Sequence, residues 1–326
     1  MIKQAIIPLA GLGTRMLPLT SVMPKELLPI NGKTNLEYIL EECLEAGIKE
    51  FIFIISKNKL SIKKYFFNDN FYKKIIKKKK DKRIIEEYKK IKKYQKMIKF
   101  VYQNKPKGTG DAVFKTKKFI KDKYFLMLLP DDLIIKKNCS KSMISSHNKY
   151  HSSVMASMTV NKKTVSRWGI YNLGKKYNKL DYQIKGVVEK PNIKEAPSNK
   201  AVIGRYILPK TIFSKLVNLK SGKGGEIHIT DAIQSLINDN EKFIAHNFLG
   251  KYLDCGTMSG YINSSKEISK LLNQKPGKGG EIHITDSIQK LIKENNKFIA
   301  HDFSGKYLDC GSMNGYIKSS LEISKL

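Results

Sequence analysis

Two short stretches near the start of the chain carry residue types that bind phosphate groups. "AGLGTR" follows an apolar run, and Gly11 and Gly13 let the backbone approach a ligand and present N–H groups to it. Arg15 can pair bidentately with phosphate oxygens. Lys25 lies between two prolines in "MPKELLPI". The pattern indicates a triphosphate site, although a glycine pair after a strand is more often a structural turn and a loop lysine can simply be solvated.

Two further stretches offer groups for a nucleobase and a metal ion. In "YQNKPKGTGDAV", Gln103 carries an amide donor and acceptor that complement a pyrimidine edge, and Gly108 lets the base come close. The same residues are also compatible with an ordinary strand-to-helix turn that binds no base. In "LLPDD", Asp131 and Asp132 follow an apolar strand. At a sheet edge such carboxylates either bind Mg²⁺ or cap the next helix, and a nearby triphosphate favours Mg²⁺.

The elements that position these residues alternate between buried strands and amphipathic helices, which predicts a parallel α/β sheet. After about residue 152 the pattern changes toward strands, so a parallel nucleotide-binding half is followed by a mixed half. We predict strands over 3–10, 51–56, 98–103, 124–130, 153–160, 183–190 and 201–208, and helices over 35–47, 108–120, 229–239 and 257–271, with further helices in 61–99.

The composition is that of a globular chain with an unusual charge. Its net charge of +32 raises the question of nucleic-acid binding, but only four of the 61 basic residues are arginines. Proteins that recognise a nucleic-acid sequence usually place the guanidinium groups of arginine at the base edges. We therefore interpret the excess of positive charge as a compositional drift toward lysine on solvated surfaces. No apolar run approaches the roughly 18 residues that cross a bilayer. We expect a cytoplasmic protein without membrane or nucleic-acid partners, whose four cysteines are reduced.

The chain ends with a tandem copy of part of itself. Residues 222–271 and 277–326 align at an offset of 55 with 39 identities in 50 positions. A repeat of this period could indicate a solenoid or propeller, but those folds need about three units and nothing upstream resembles these two. The sequence shows no Ser/His/Asp or Cys/His constellation, and most of its histidines are paired between the copies.

Nine motifs, in order and at compatible spacing, resemble the bacterial UTP–glucose-1-phosphate uridylyltransferases, a family of sugar nucleotidyltransferases. The resemblance covers residues 2 to about 271 and implies a Rossmann-like nucleotide-diphospho-sugar transferase fold, with a mixed, mostly parallel sheet flanked by helices. The motifs are "AGLGTRMLPLT", "MPKELLPI", "QNKPKGTGDAV", "LLPDD", "WGI", "VVEKP", "APSNKAVIGRYIL", "GKGGEIHITDAI" and "DCGTMSGY".

The resemblance implies transfer of a uridylyl group from UTP to glucose 1-phosphate, with Mg²⁺ as cofactor. It assigns phosphate neutralisation to Arg15, Lys25 and Lys190, nucleotide binding to Ala10, Gly11, Gly13, Gln103 and Gly108, sugar binding to Gly169 and Glu189, and metal binding to Asp131 and Asp254, with Asp309 as the equivalent of Asp254 in the second copy. A thymidylyltransferase, or a basic nucleic-acid-binding protein on this scaffold, remains an alternative.

The chain departs from the family pattern in two places. "NGKTN" (31–35) replaces the usual Asp-Lys-Pro turn, which leaves the start of the next helix open. The family's C-terminal tail is replaced by the second copy; we expect a homo-oligomer, but the missing tail leaves the subunit number open. We expect a catalytic domain over 1–271, with copy one in the site and Thr230 capping its helix, and residues 277–326 as a surplus segment.

Overall fold

The computed structural model describes residues 2–30, 32–217, 225–272, 306–311 and 313–323. The chain divides into two compact units, Met1–Pro29 with Lys33–Tyr261, and Ile30–Gly32 with Ile262–Leu326. The first unit holds every predicted site residue except Asp309. No helix among the described residues is both long and apolar enough to cross a membrane.

Within the described residues, the main sheet of the first unit has nine strands in the order β5-β4-β1-β6-β11-β8-β12-β10-β9. All except β10 and β11 run in the same direction, which agrees with the predicted mixed, mostly parallel sheet. The strands are β1 (Gln4–Pro8), β2 (Pro29–Ile30), β3 (Lys33–Thr34), β4 (Glu50–Ile55), β5 (Ile98–Tyr102), β6 (Tyr124–Leu128), β7 (Asp132–Ile135), β8 (Ser153–Thr159), β9 (Gly169–Lys176), β10 (Asp181–Glu189), β11 (Lys200–Pro209), β12 (Phe243–Asn247) and β13 (Lys251–Asp254).

Helices cover both faces of this sheet, so its central strands are apolar on both sides. Ile52 and Ile54 of β4 belong to a buried cluster with α5, α7 and α8, whereas Phe53 packs edge-on against Phe66 of α2, with ring centroids 5.8 Å apart. The helices are α1 (Asn35–Glu45), α2 (Leu60–Phe67), α3 (Asp69–Lys79), α4 (Lys82–Gln95), α5 (Thr109–Phe114), α6 (Cys139–Tyr150), α7 (Ile212–Val217), α8 (Ile229–Asn238), α9 (Met258–Leu272) and α10 (Met313–Ile323).

A small two-stranded sheet at the end of β6 brings distant parts of the chain together. β7 pairs antiparallel with β13, and Asp132 lies opposite Asp254 in the register. The backbone N–H of Cys255 donates to the Asp131 carbonyl at 2.7 Å. Residues more than 120 positions apart in sequence therefore share the edge of the sheet where open α/β folds bind ligands.

The unusual "NGKTN" stretch starts α1 with a complete capping box. Thr34 accepts a hydrogen bond from the backbone N–H of Glu37, and the Glu37 carboxylate accepts one from the backbone N–H of Thr34. Both bonds satisfy donors that a helix start otherwise leaves unpaired. The start of this helix, which the sequence left open, is thus defined locally.

Two helix predictions need correction. The predicted helix over 108–120 ends at Phe114, because the hydroxyl of Thr116 donates to the Val113 carbonyl at 2.6 Å and turns follow. Thr230 does not cap α8: the helix begins at Ile229, whose backbone N–H donates to Thr109 Oγ1 at 3.3 Å. A tertiary contact takes the place of the local cap.

Copy one of the duplicated segment contributes α8, β12 and β13 to the first unit. Of copy two, 306–311 and 313–323 are described, and the latter form α10. The rest of that copy lies outside the described residues, so the predicted domain boundaries stay predictions. Cys43, Cys139, Cys255 and Cys310 form no disulfide bond among the described residues.

Candidate active site

A cavity of about 430 Å³ opens at the carboxyl ends of β1 and β6. It brings together seven of the predicted site residues: Ala10, Gly11, Gly13, Lys25, Gln103, Gly108 and Asp131. Thr14, Glu26, Thr109 and Glu226 also line it, and none of these four was predicted. The cavity is large enough for a nucleotide and lies where the fold is expected to bind one.

The glycine-rich loop leaves β1 in a conformation that only glycine adopts easily. Gly13 has φ of 70°, and its carbonyl accepts a hydrogen bond from the Thr20 hydroxyl at 2.8 Å. A β-carbon at this position would lie 3.1 Å from the Thr20 methyl carbon. Gly13 precedes a single 3₁₀ turn that carries Arg15, whose side chain is 63% exposed.

Lys25 and Asp131 form the central ion pair of the cavity. Lys25 Nζ lies 2.6 Å from Asp131 Oδ2, and Arg15 Nη2 lies 3.4 Å from the same oxygen. Burial alone would raise the pKa of Asp131, but the two cations hold that pKa below its ordinary value. Burial would likewise lower the pKa of Lys25, yet Asp131 and Glu26 together raise it. Both groups are therefore charged at neutral pH.

A second, more deeply buried pair lies behind Lys25. Both carboxylate oxygens of Glu26 accept from Lys59 Nζ at 2.8 Å, with side-chain exposures of 1% and 8%. Burial lowers the pKa of Lys59, although Glu26 opposes that shift. Because Glu26 directly follows Lys25, this pair anchors the turn that presents Lys25 to the cavity.

Asp131 and Asp254 converge on a small volume kept open by Gly256. A β-carbon at position 256 would lie 2.7 Å from both Arg15 Nη2 and Asp131 Oδ2, and 3.2 Å from Asp254 Oδ1. The Asp254 carboxylate accepts from the backbone N–H of Gly256 at 2.8 Å and from the Thr257 hydroxyl at 3.1 Å. No group of three or more His, Cys, Asp or Glu side chains that could hold a metal occurs in the described part of the chain.

Asp132, the other member of the aspartate pair, has a different environment. It accepts from the backbone N–H of Gly204 at 2.9 Å and from the Tyr252 hydroxyl at 2.7 Å. Removal from water raises its pKa to about 6, and the neighbouring Asp131 adds to the shift. The Asp132 side chain therefore connects β7 to β11 and β13 through hydrogen bonds, whereas Asp131 lines the cavity.

Gln103 presents one side of its amide to the cavity. Its Nε2 donates to Asp111 Oδ2 at 2.7 Å and to the Gly108 carbonyl at 3.1 Å. Its Oε1 accepts no hydrogen bond from the described residues, so the acceptor remains for a ligand. Gly108 has φ of 94°, and a β-carbon there would lie 2.5 Å from the Ile227 carbonyl oxygen. Only glycine fits at this turn.

Gly169, Glu189 and Lys190 form a separate group at the ends of β9 and β10. Gly169 lies opposite Glu189 in the register, and a β-carbon at Gly169 would lie 3.1 Å from Glu189 Oε2. Lys190 has φ of 46°, and its ammonium lies 3.9 Å from Glu189 Oε1. None of the three is among the described residues that line the cavity.

An aromatic contact connects this group to the aspartates. The Trp168 ring packs edge-on against Tyr252, with centroids 5.8 Å apart, and the Tyr252 hydroxyl donates to Asp132. Trp168 directly precedes Gly169. The two predicted binding regions are thus joined through Tyr252, which the sequence did not single out, because the pairing of β7 with β13 is not visible in it.

Known proteins share this architecture and this sequence. Residues 4–271 match the family model described as Nucleotidyl transferase. The UTP–glucose-1-phosphate uridylyltransferase of Bacillus subtilis is 37% identical over 269 residues, which cover 82% of this chain and 91% of the relative. The chain belongs to the nucleotidyl transferase family.

Two solved structures extend this comparison to the fold of this nucleotidyl transferase. A UDP-glucose pyrophosphorylase complexed with UDP-glucose is 37% identical, with a TM-score of 0.73 over 83% of this chain and 100% of the other. The UTP-bound UGPase of Acinetobacter baumannii is 30% identical, with a TM-score of 0.76 over 91% of this chain and 100% of the other. The part of this nucleotidyl transferase that matches the family model, residues 4–271, contains all the residues described as lining the cavity.

Copy one of the duplicated segment forms one wall of the cavity. The backbone N–H of Gly110 donates to the Ile227 carbonyl at 2.7 Å, and the Ile227 N–H donates to the Lys107 carbonyl at 2.8 Å. Asp309 of copy two has the same local turn as Asp254, since it accepts from the backbone N–H of Gly311 at 2.8 Å. Asp309, however, belongs to the other compact unit.

The structure also contains a Ser/His/Asp chain, which the sequence analysis wrongly excluded. His246 Nδ1 lies 2.7 Å from Asp181 Oδ1, and His246 Nε2 lies 2.7 Å from Ser142 Oγ. Asp181 and His246 are buried, and Ser142 lies within α6. The chain ties α6 to β10 and β12; its members are up to 104 residues apart, so spacing could not reveal it.

Proposed function

We propose that this chain transfers a uridylyl group from UTP to α-D-glucose 1-phosphate, giving UDP-glucose and pyrophosphate. The observation that carries the proposal is the convergence of Arg15, Lys25, Asp131 and Asp254 beside a glycine-rich nucleotide cavity. An oxygen of the sugar phosphate attacks the α-phosphorus of UTP while the bond to the departing pyrophosphate breaks. No covalent enzyme intermediate is needed, so catalysis consists of positioning and charge neutralisation.

The phosphates of UTP would bind between the glycine-rich loop and the two cations. The backbone of Ala10 to Gly13 provides close approach and N–H donors, and Lys25 and Arg15 neutralise phosphate charge. Because Lys25 is only 12% exposed and the Glu26–Lys59 pair anchors its turn, its ammonium is held in place before the substrate arrives. Such preorganisation reduces the reorganisation needed in the transition state.

The carboxylates of Asp131 and Asp254 suit a magnesium ion. Mg²⁺ prefers oxygen ligands and commonly binds one or two carboxylates, with water and substrate phosphates completing its shell. Because residue 256 is glycine, it places no side chain of its own between Asp131 Oδ2 and Asp254 Oδ1, and Arg15 Nη2 borders the same space. When bound there, Mg²⁺ would supply Lewis-acid stabilisation of the negative charge on the phosphate groups.

Uracil would be read by Gln103 and Gly108. The Gln103 amide orientation leaves Oε1 as an acceptor for the ring N–H of uracil, since Asp111 and the Gly108 carbonyl hold its Nε2 group. Thymine presents the same N–H and adds one methyl group. Discrimination between the two bases therefore depends on the shape of the pocket around that methyl group and is worth about 1 to 3 kcal/mol. The nucleotide dTTP also lacks the ribose 2′-hydroxyl of UTP.

The sugar phosphate would bind at Gly169, Glu189 and Lys190. The Glu189 carboxylate can accept hydrogen bonds from sugar hydroxyls, and Gly169 leaves room for the ring beside the backbone. The exposed Lys190 ammonium can pair with the sugar phosphate. Copy one is the working copy in this proposal, because Glu226 and Ile227 of that copy already form the cavity wall.

Pyrophosphate release tests the substrate assignment. We expect turnover with UTP and glucose 1-phosphate, and slower turnover with dTTP or with galactose 1-phosphate. A preference for dTTP would overturn the uridylyl assignment in favour of thymidylyl transfer. Absence of turnover with every pair, together with salt-sensitive RNA binding, would support a binding protein.

Matched substitutions test the metal site and the choice of copy. Asp131→Asn and Asp254→Asn are each expected to lower Mg²⁺-dependent turnover by about 100-fold or more. Asp309→Asn, the same change in the second copy, is expected to leave it unchanged, as is truncation after Leu272. Loss of activity in the Asp309 variant, with activity kept in the Asp254 variant, would assign the site to copy two.

A further inference from the structure

The positive charge of the chain is concentrated in the helices between β4 and β5. Residues 57–99 contain 18 of the 61 lysines and arginines but only four of the 29 acidic residues. They make up about an eighth of the chain. Uniform lysine drift does not produce such a concentration, so this segment needs its own explanation.

Most of these cations are exposed and unpaired. We define the basic face as the exposed lysines and arginine of this segment that make no ion pair with any described residue. They are Lys57, Lys63, Lys64, Lys73, Lys74, Lys77, Lys78, Lys80, Lys82, Arg83, Lys93 and Lys96.

Three of the four acidic residues of the segment, all except Glu87, are already engaged. Asp81 caps α4 by accepting from the backbone N–H groups of residues 83 and 84. Asp69 pairs with Lys92 at 2.9 Å, and Glu86 pairs with Lys89 at 2.8 Å. The basic face is therefore weakly compensated by its own surroundings.

Exposed aromatic rings accompany the charge. Phe71 at the start of α3 is 57% exposed, and Phe67 at the end of α2 is 41% exposed. Helical spacing puts Lys74, Ile75 and Lys78 on the same side of α3 as Phe71. The adjoining side of α3, about 100° away, is occupied, because Tyr72 stacks on Tyr88 of α4 with centroids 5.2 Å apart.

We propose that the basic face and its phenylalanines bind the surface of a bilayer that contains anionic lipids, a partner that the sequence did not lead us to expect. A short helix with lysines around exposed aromatic residues is suited to lie at such an interface, with the rings below the headgroups. Each lysine near an anionic surface adds attraction, so a dozen compensate for a small apolar area. This inference does not depend on the reaction assigned to the cavity.

A nucleic acid fits the same face less well. Eleven of the twelve cations are lysines, which act as point charges and lack the planar fork that reads bases and phosphates bidentately. Tyr72 and Tyr88 stack on each other, so those rings are not open to bases. Phe67 likewise contacts Phe100 with one edge, at 5.8 Å between centroids.

Vesicle flotation of the full chain tests the proposal at about 0.15 M salt. The vesicles contain phosphatidylcholine alone or with phosphatidylglycerol. The test variant changes Lys73, Lys74, Lys77 and Lys78 to glutamine, and the control variant changes the exposed Lys162, Lys163, Lys175 and Lys179 in the same way, so that both lose equal charge. Pyrophosphate release verifies that each variant is folded.

We expect binding to the anionic vesicles only, weakened by about tenfold or more in the test variant and by less than about threefold in the control. Phe71→Ser should weaken binding by about threefold or more while the dependence on salt stays the same. Equal loss in both lysine variants would show that net charge alone drives binding and would overturn the proposal. Tighter binding to single-stranded RNA than to vesicles, lost in the test variant, would overturn it in favour of nucleic acid.

Discussion

A fully buried ion pair behind the aspartates gives the sharpest test of how the fold supports the site. Arg205 of β11 is 0% exposed, and its Nη2 lies 2.8 Å from Oε2 of Glu42 on α1. Its Nη1 donates to the carbonyls of Leu129 and Gly204 at 3.2 Å each. Leu129 precedes Asp131 by two residues, so Arg205 fixes the strand end that presents the carboxylate proposed to bind the metal ion.

We predict that Arg205→Met lowers the free energy of unfolding by about 3 to 5 kcal/mol. The substitution leaves the Glu42 carboxylate, 7% exposed, with only the hydroxyl and backbone N–H of Ser140 as partners. Glu42→Leu should cost a similar amount, because it leaves a buried guanidinium without its anion. The double variant removes both charges but leaves the Leu129 carbonyl without this donor and the Ser140 hydroxyl and N–H without this acceptor, so we expect it to cost less than the sum of the two single variants.

Urea unfolding, followed by circular dichroism, measures the free energy of unfolding of the wild type, the two single variants and the double variant, which form a double-mutant cycle. The four values can be compared if the dependence of this free energy on urea concentration is the same in all four proteins. A coupling of about 3 kcal/mol or more is expected between the two positions. Costs below about 1 kcal/mol for each single variant, or costs that simply add in the double variant, would refute the view that the pair is held as an isolated buried salt bridge.

Three further outcomes follow from the geometry of the site. Gly108→Ala should abolish activity, because its β-carbon would lie 2.5 Å from the Ile227 carbonyl oxygen. The control Gly47→Ala, with φ of 92° and open space around it, should lower the free energy of unfolding by only about 1 to 2 kcal/mol. Equal effects of the two substitutions on urea unfolding and on turnover would refute this. The pKa of Asp132 is raised from 3.8 to about 6, so its protonated form stabilises the fold below about pH 4 and that contribution disappears as the pH rises through 6. With EDTA present, the free energy of unfolding of the wild type should therefore fall by on the order of 3 kcal/mol relative to that of Asp132→Asn between pH 4 and pH 7. A difference between the two proteins that does not change with pH would contradict the raised pKa of Asp132. Tyr252→Phe removes the hydroxyl that lowers this pKa, so it should move the same transition to higher pH, and no displacement would show that the hydrogen bond does not tune Asp132.

Local patterns were enough to predict β1, β5 and β6 beside the cavity, but not β9 and β13, which carry Gly169 and Asp254. Gly11, Gly13 and Asp131 lie where short apolar runs end, and parallel strands bring such ends to one edge, so the cavity could be expected from spacing alone. Gln103 was placed correctly at a strand end, but its hydrogen bonds to Asp111 and Gly108 decide that only its acceptor is available. Side-chain orientation depends on neighbours, which spacing does not specify.

Tertiary contacts decided the features that local rules predicted wrongly. Thr230 has the residue type of a helix cap, yet Thr109 receives the first N–H of α8 because two glycines let the segments approach closely. The roles of Asp131 and Asp132 looked equivalent in sequence. Pairing of β7 with β13 turns one toward Lys25 and the other toward Tyr252.

The sequence by itself determined the family, the α/β sheet and the residue types available for phosphate, base and metal, because these follow from periodicity and from short motifs. It also revealed two nearly identical copies of one segment, and nothing within the copies distinguishes Asp254 from Asp309. The tertiary structure decided what each copy contacts. Ile227 of copy one is hydrogen-bonded to the Gly108 turn, and Asp254 meets Asp131 across Gly256, because only that copy's β13 pairs with β7 among the described residues.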